Sequence, residues 1–212
     1  MNSCFLIMLI TQLANLNHAI IDFSLLPEQI VDYANKLHGQ RKRQFLVCRS
    51  ILAQLLKQHY SVDILPEMVI GDNSRPRFLD CSFPDFNISH SGDWVAVAVA
   101  LSGKVGVDIE VDRPRKNYLN VAKHFFTDDE YQWMINQKDT LLAFWQLWTL
   151  KESALKLYAK GVWQIKSVNV NVENHSICAP FGQHFYFHYQ QLSGIHLAVN
   201  CDNPITNIVV KS

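Results

Sequence analysis

Neither sign of charge is in excess in this 212-residue chain, where nineteen lysines and arginines balance nineteen aspartates and glutamates. No global field draws it to nucleic acid or to an anionic membrane, so any charged partner must be met by a local patch. Cysteine is scarce and scattered: the five, at positions 4, 48, 81, 178 and 201, are odd in number and form no CxxC pair. That argues against a disulfide framework or a structural zinc site, and a reducing, cytoplasmic location is expected. The glycine-rich GxxxxGK[ST] and GxGxxG phosphate loops are absent, as are the HExxH of zinc peptidases and the GxSxG nucleophile turn. No low-complexity tract or linker interrupts the chain, and the early apolar run, Cys4 to Ile10, is too short to cross a bilayer. No basic residue precedes that run and Asp22 is the first charge of either sign, so Cys4 to Thr11 reads as a buried first strand rather than a signal peptide.

At 49% hydrophobic residues, the chain can bury a sizeable core as one large domain or two small halves. Leu25 to Gln29 is turn-like around Pro27, and a polar connection through Lys36 to Gln40 leads into a helix predicted over Arg41 to Tyr60. Phe45, Cys48, Leu52, Leu55 and Leu56 mark its core side. Gly71 to Phe78 is a turn cluster. Strands are predicted at 86–90, 94–101 and 105–112, joined by short turns into an antiparallel meander. The middle strand is apolar on both faces with alanines on one of them, which predicts a helix packed on that small face. Thr127-Asp128-Asp129-Glu130 is a capping box opening a short helix to about Asn136. A second long helix is predicted over 141–160, with Gly161 as its C-terminal cap, and segments at 165–172, 185–189, 195–199 and 205–210 form a second meander. The expectation is an α+β fold of two pseudo-symmetric halves, 1–104 and 105–212, each a long helix packed on a small antiparallel sheet.

Chemistry concentrates in two places. In the second long helix Trp148, Glu152 and Lys156 recur every four residues, forming one line beside the apolar face. Taken alone, Glu152 and Lys156 are an ordinary surface pair at i,i+4, worth about 0.3–0.5 kcal/mol. In Val105-Gly106-Val107-Asp108-Ile109-Glu110-Val111-Asp112 the alternation is strict, so the valines and isoleucine face the core while Asp108, Glu110 and Asp112 share the other face. Carboxylates two residues apart on a strand lie roughly 7 Å apart by Cα, within reach of one oxygen-seeking cation. Gly106 leaves room for a ligand on that face. Arg41, Lys42 and Arg43 place positive charge against the dipole of the first long helix, either as a solvated turn or to meet an anion.

Val105-Gly106-Val107-Asp108-Ile109-Glu110, followed by Trp148-Thr149-Leu150-Lys151-Glu152-Ser153-Ala154-Leu155-Lys156, resembles the signature of 4'-phosphopantetheinyl transferases. Asn87-Ile88-Ser89-His90-Ser91-Gly92, the Arg75-Pro76 turn and Phe45-x-x-x-Arg49 match weaker blocks of that family. The length is similar to the Sfp-type class, and Asp108 to Asn117 with Trp163-Gln164-Ile165 is similar to the bacterial holo-acyl-carrier-protein synthases. The resemblance implies transfer of the phosphopantetheine arm of coenzyme A to a serine of an apo acyl carrier protein or peptidyl carrier domain, releasing 3',5'-ADP. It also implies a Mg²⁺ ion held by Asp108, Glu110 and Glu152, with Lys156, His90 and Ser89 at the phosphates. By the same likeness Arg43 and Arg49 are candidates for the 3'-phosphate, and the Arg75-Pro76 turn for the adenine pocket. The proton of the carrier serine would pass to Glu152, to Glu130 or to a metal-bound water. Carriers of this kind are acidic, which makes Arg113, Arg115 and Lys116 the expected docking loop of a monomeric enzyme. The alternative is a protein of the same fold that binds carrier or coenzyme A without chemistry.

Overall fold

The computed structural model describes residues 8–205 and 207–211. The first half of the chain runs through strand β1 (Met8–Asn15), helices α1 (Glu28–Asn35) and α2 (Gly39–Tyr60), the hairpin β2 (Met68–Ile70) and β3 (Pro76–Phe78), then β4 (Asp85–Ser91), β5 (Trp94–Ala100) and β6 (Val105–Val111). There follow helices α3 (Tyr118–Phe125), α4 (Asp128–Ile135) and α5 (Thr140–Leu157). The hairpin β7 (Asn169–Asn171) and β8 (Ser176–Cys178) precedes β9 (Tyr186–Leu192), β10 (Ile195–Cys201) and β11 (Asn207–Lys211). The class is α+β, as expected. Of the predicted first strand, residues 4–7 lie outside the described residues, and the described strand extends to Asn15. Among the described residues no helix is long and apolar enough to cross a membrane.

The two main sheets are ordered β11-β1-β5-β4 and β6-β10-β9. Strand β5 explains why they stack. Its valines, Val95, Val97 and Val99, pack with the α2 leucines in one core. Its alanines, Ala96, Ala98 and Ala100, meet Val105, Val107, Ile109, Leu197 and Val199 of the second sheet. The small face of β5 therefore receives a sheet, and the large face receives the helix, which reverses the expectation. Short alanine side chains let the two sheets approach closely. On the far side of the second sheet lies α5, so the layers run α2, first sheet, second sheet, α5.

Two predicted connections are corrected. β6 does not continue the β4–β5 meander but pairs antiparallel with β10, from Val105 opposite Cys201 to Val111 opposite Ile195. β11 leaves the C-terminal strands and runs parallel beside β1 in the first sheet. Hairpin logic favours the nearest strand in sequence, and tertiary packing overrode it in both cases. Residues 165–167, predicted as the start of a strand, belong to a short 3-10 helix (Val162–Ser167). Helices α1 and α3 are additional elements of eight residues each, too short for periodicity to declare them.

α5 is buried nearly all round. Its C-terminus is closed by a Schellman pattern: Lys160 N–H donates to Leu155 C=O, and Ala159 N–H to Lys156 C=O. The left-handed residue is Ala159 (φ 50°), not Gly161. Gly161 has φ −81° and lies beneath the Trp163 indole instead. Gly106 likewise makes room for protein rather than ligand, because a Cβ there would stand 2.1 Å from the Ser153 carbonyl oxygen and 2.4 Å from the Leu157 nitrogen. That contact seats α5 on β6. Gly106→Ala should therefore cost about 1–3 kcal/mol of unfolding free energy in a urea titration, by overpacking against backbone that cannot yield. A loss below about 0.5 kcal/mol would contradict the close approach.

Candidate active site

The strand β4 turns alternate polar side chains toward β6, and they bond its backbone directly. Val105 N–H donates to Asp85 Oδ2 (2.8 Å), Val107 N–H to Asn87 Oδ1 (3.1 Å), Ile109 N–H to Ser89 Oγ (3.2 Å) and Val111 N–H to Ser91 Oγ (3.2 Å). The seam between the sheets is thus a ladder of side chain to backbone bonds. On it sit the predicted carboxylates. Asp108 is buried, and its Oδ1 accepts from Ser89 Oγ (2.9 Å) and Lys156 Nζ (2.6 Å). Glu110 Oε2 accepts from Ser91 Oγ (2.6 Å) and pairs with Arg113 at 3.1 Å. Asp112 does not share that site: past the end of β6, it bonds buried His196 (2.5 Å) and Gln191 (3.1 Å).

α5 brings Glu152 and Lys156 to the same seam, but not as a pair. Lys156 reaches across to Asp108 and Ser89, and among the described residues Glu152 makes no ion pair or side-chain hydrogen bond. Burial, and then the Asp108 charge, push the Glu152 carboxyl up to about 7, against the pull of Lys156. Burial also lifts Asp108 above the ordinary carboxylate range despite Lys156. Ser153, next in line, is buried and accepts a 2.7 Å bond from Asn200 of β10.

Beside the seam, α1, α2, β2, β3 and β4 enclose a cleft of about 460 Å³ lined by Tyr33, Phe45, Arg41, Arg49, Met68 and His90 among others. Pro76 and Ile88 belong both to it and to a smaller cavity of about 180 Å³ that ends at Lys156 and Lys160. The two cavities thus adjoin, and the smaller one reaches Lys156, the ion-pair partner of Asp108. Arg49 lies over the Phe45 ring at 4.2 Å, with a buried Nε that has no partner, and burial weighs against its charge. An aromatic wall beside an under-satisfied guanidinium suits an anionic ligand with a flat group.

Two predicted residues are otherwise engaged. Arg43 donates to the carbonyls of Leu16 and Ala19, and Arg41 takes its place at the cleft. Arg75 ion-pairs with Asp85 (2.6 Å) and bonds the carbonyls of Leu157, Phe86 and Val105, so its side chain clamps the seam while Pro76 faces the cavities. Glu130 is no candidate base: its carboxylate caps α4, accepts from Val170 N–H and pairs with buried Lys151 at 2.7 Å. In the predicted docking loop, Arg113 lies over Trp145, Arg115 over Trp145 and Trp148, and Lys116 is exposed. Sequence reasoning missed Asp85 and Asn87, and gave Ser91 no role. The signal was there, in polar residues at 85, 87, 89 and 91 with period two.

A profile described as the 4'-phosphopantetheinyl transferase superfamily matches residues 104–200, the span that carries β6, α5 and β10. The 4'-phosphopantetheinyl transferase AcpT of Salmonella typhimurium is 37% identical over 146 residues, covering 68% of this chain and 72% of the relative. The chain belongs to the 4'-phosphopantetheinyl transferase superfamily. The protein of that name from Escherichia coli K12 is 33% identical over 170 residues (79% of this chain, 80% of the relative). A putative 4'-phosphopantetheinyl transferase of Haemophilus influenzae is 34% identical over 166 residues (74% and 69%).

As a phosphopantetheinyl transferase, the chain has a donor set that fits an oxygen-seeking cation. Asp108 Oδ2 is buried with no hydrogen-bond partner, and the charges of Asp108 and Glu110 both act on Glu152. Among the described residues no group of three aspartate, glutamate, histidine or cysteine side chains is arranged to hold a metal ion. Mg²⁺ takes one or two carboxylates and completes its shell with water and substrate phosphate oxygens, so Asp108 with one neighbouring carboxylate would be enough to hold it. The raised Glu152 pKa has a consequence for the metal-free protein. Its folded value of about 7 exceeds the ordinary 4.5, so its stabilising contribution is full below pH 4.5 and is lost as pH rises through about 7. In chelator, Glu152→Gln should melt alongside wild type near pH 4.5 and above it past pH 7. Parallel melting curves across that window would refute the perturbed carboxyl.

Proposed function

We propose that the protein transfers 4'-phosphopantetheine from coenzyme A to a serine hydroxyl of an acyl or peptidyl carrier protein, with Mg²⁺ required and 3',5'-ADP released. The supporting observation is the pairing of Asp108 with Lys156 on the seam that also carries Glu110 and Glu152, beside a cleft lined by Arg41, Arg49 and His90. In this reading residues 1–104 supply the cleft for coenzyme A, and residues 105–212 supply the metal strand and α5. Arg49 and His90 serve the phosphates, Pro76 and Phe45 flank the base, and Lys156 meets the pyrophosphate. Asp108, Glu110 and Glu152 would hold Mg²⁺, which when bound neutralises the charge that develops on the pyrophosphate oxygens. The serine oxygen bonds to the phosphorus bearing the pantetheine arm, and the bond from that phosphorus to the 3',5'-ADP oxygen breaks. Glu152, its carboxyl pushed up to about 7 and free of a side-chain partner among the described residues, would receive the serine proton.

A mass spectrum of apo-carrier after incubation with coenzyme A and Mg²⁺ tests the reading, since transfer adds the phosphopantetheine mass. An unmodified carrier would favour a binding protein of the same fold. Glu152→Gln and Asp108→Asn should each lower kcat on the order of a hundredfold, equivalent to about 3 kcal/mol of transition-state stabilisation. A folded Glu152→Gln variant within about threefold of wild type would remove Glu152 from the chemistry.

Docking of an acidic carrier is assigned to the basic loop at 113–116. Arg113 and Arg115 are folded onto aromatic rings, so exposed Lys116 is the cleanest probe. Lys116→Glu should raise KM for carrier several-fold and flatten its salt dependence, with KM for coenzyme A unchanged. An unaltered salt profile would move the docking surface elsewhere.

A further inference from the structure

We infer that Ser91, together with Ser89, is a positioning residue that aims the two strand carboxylates at the cation. This inference rests on the reading of Asp108 and Glu110 as cation ligands. A serine hydroxyl can accept two hydrogen bonds and donate one. Both hydroxyls here are saturated in the same way. Ser89 Oγ accepts from Ile109 N–H (3.2 Å) and Lys156 Nζ (2.9 Å) and gives its proton to Asp108 Oδ1 (2.9 Å). Ser91 Oγ accepts from Val111 N–H (3.2 Å) and Arg113 Nη1 (2.9 Å) and gives its proton to Glu110 Oε2 (2.6 Å).

Each serine therefore joins a backbone amide of β6, one cation and one carboxylate. The consequence is an orientation: one oxygen of each carboxylate is tied down by a serine and a cation, and the other is presented. For Asp108 the other atom, Oδ2, is buried and has no hydrogen-bond partner among the described residues. Bonding the same hydroxyl to the strand amide fixes that geometry to the β6 register, so neither carboxylate can swing without breaking the seam. Outer-shell partners of this kind typically alter metal affinity 10–100-fold when removed. Ser91 is the cleaner of the two to test, because it touches Glu110 and Arg113 and makes no contact with Lys156.

The test compares wild type with Ser91→Ala and Ser91→Thr. Mg²⁺ is titrated calorimetrically into each protein saturated with coenzyme A and lacking carrier, and melting temperature is measured in chelator. Ser91→Ala should bind Mg²⁺ about tenfold more weakly or worse, and need correspondingly more Mg²⁺ for half-maximal turnover. Its kcat at saturating Mg²⁺ should stay within about threefold of wild type, since the ligand itself is intact. Ser91→Thr, which keeps the hydroxyl, should recover most of the affinity. Should alanine compromise folding, Ser91→Cys carries the comparison, because the thiol is a similar size and only a weak donor. A wild-type Mg²⁺ isotherm in Ser91→Ala, or an affinity loss in Ser91→Thr as large as in Ser91→Ala, would overturn the inference. A wild-type protein that modifies no carrier would instead overturn the proposed activity, so the two failures are distinguishable.

Discussion

The ladder from β4 to β6 is the constraint on which the rest of the molecule depends. Four side chains, Asp85, Asn87, Ser89 and Ser91, accept the β6 amides that a neighbouring strand's carbonyls would otherwise take. Each such bond contributes only about 0.5–1.5 kcal/mol net, but a buried amide left without a partner costs more than that. β6 is consequently held beside the first sheet while its other edge pairs with β10. A side chain reaches further than a carbonyl, so the seam is wider than a strand pairing and has room for polar groups. That widening puts carboxylates at the boundary of two sheets whose remaining buried contacts are apolar.

Two ion pairs, one buried and one half-buried, show what different surroundings do to the same chemistry. Glu130 and Lys151 are both enclosed and fully bonded, to the α4 cap, the Val170 amide and the Val168 carbonyl. Removing one partner from such a pair typically costs about 3–5 kcal/mol, and nothing there is left to bind a ligand. Asp108 and Lys156 are a comparable pair left open, with one Asp108 oxygen unpartnered and an unpaired Glu152 nearby. The first pair makes structure. In the proposed function a cation and a phosphate complete the second, and the seam supplies its rigidity.

Much of this was legible from residue order alone. Strict alternation at 105–112 and a proline-free apolar period at 141–160 announce the strand β6 and the helix α5, because local geometry repeats with periods that side chains must obey. The capping box at Thr127 and the break at Pro27 were equally local, and the structure has both. The acidic strand and the Glu152-Lys156 line identified the family through residue types and their spacing.

Partnership was not legible, because it depends on which surfaces meet. Gly106 read as space for a ligand and is space for α5; Arg43 read as an anion contact and holds a loop; Lys156, which on its helix alone reads as a surface partner of Glu152, reaches Asp108. In each case the sequence supplied a side chain with several chemically acceptable partners, and only packing chose among them. Strand pairing followed the same rule, with β6 and β11 each joining a sheet that hairpin connection does not predict. By itself the sequence determined the long helices and the main strands, the family and the chemical inventory of the site, since these follow from local periodicity and residue type. The tertiary structure decided which charges face one another, because that depends on distances set by two sheets and two helices packing at once.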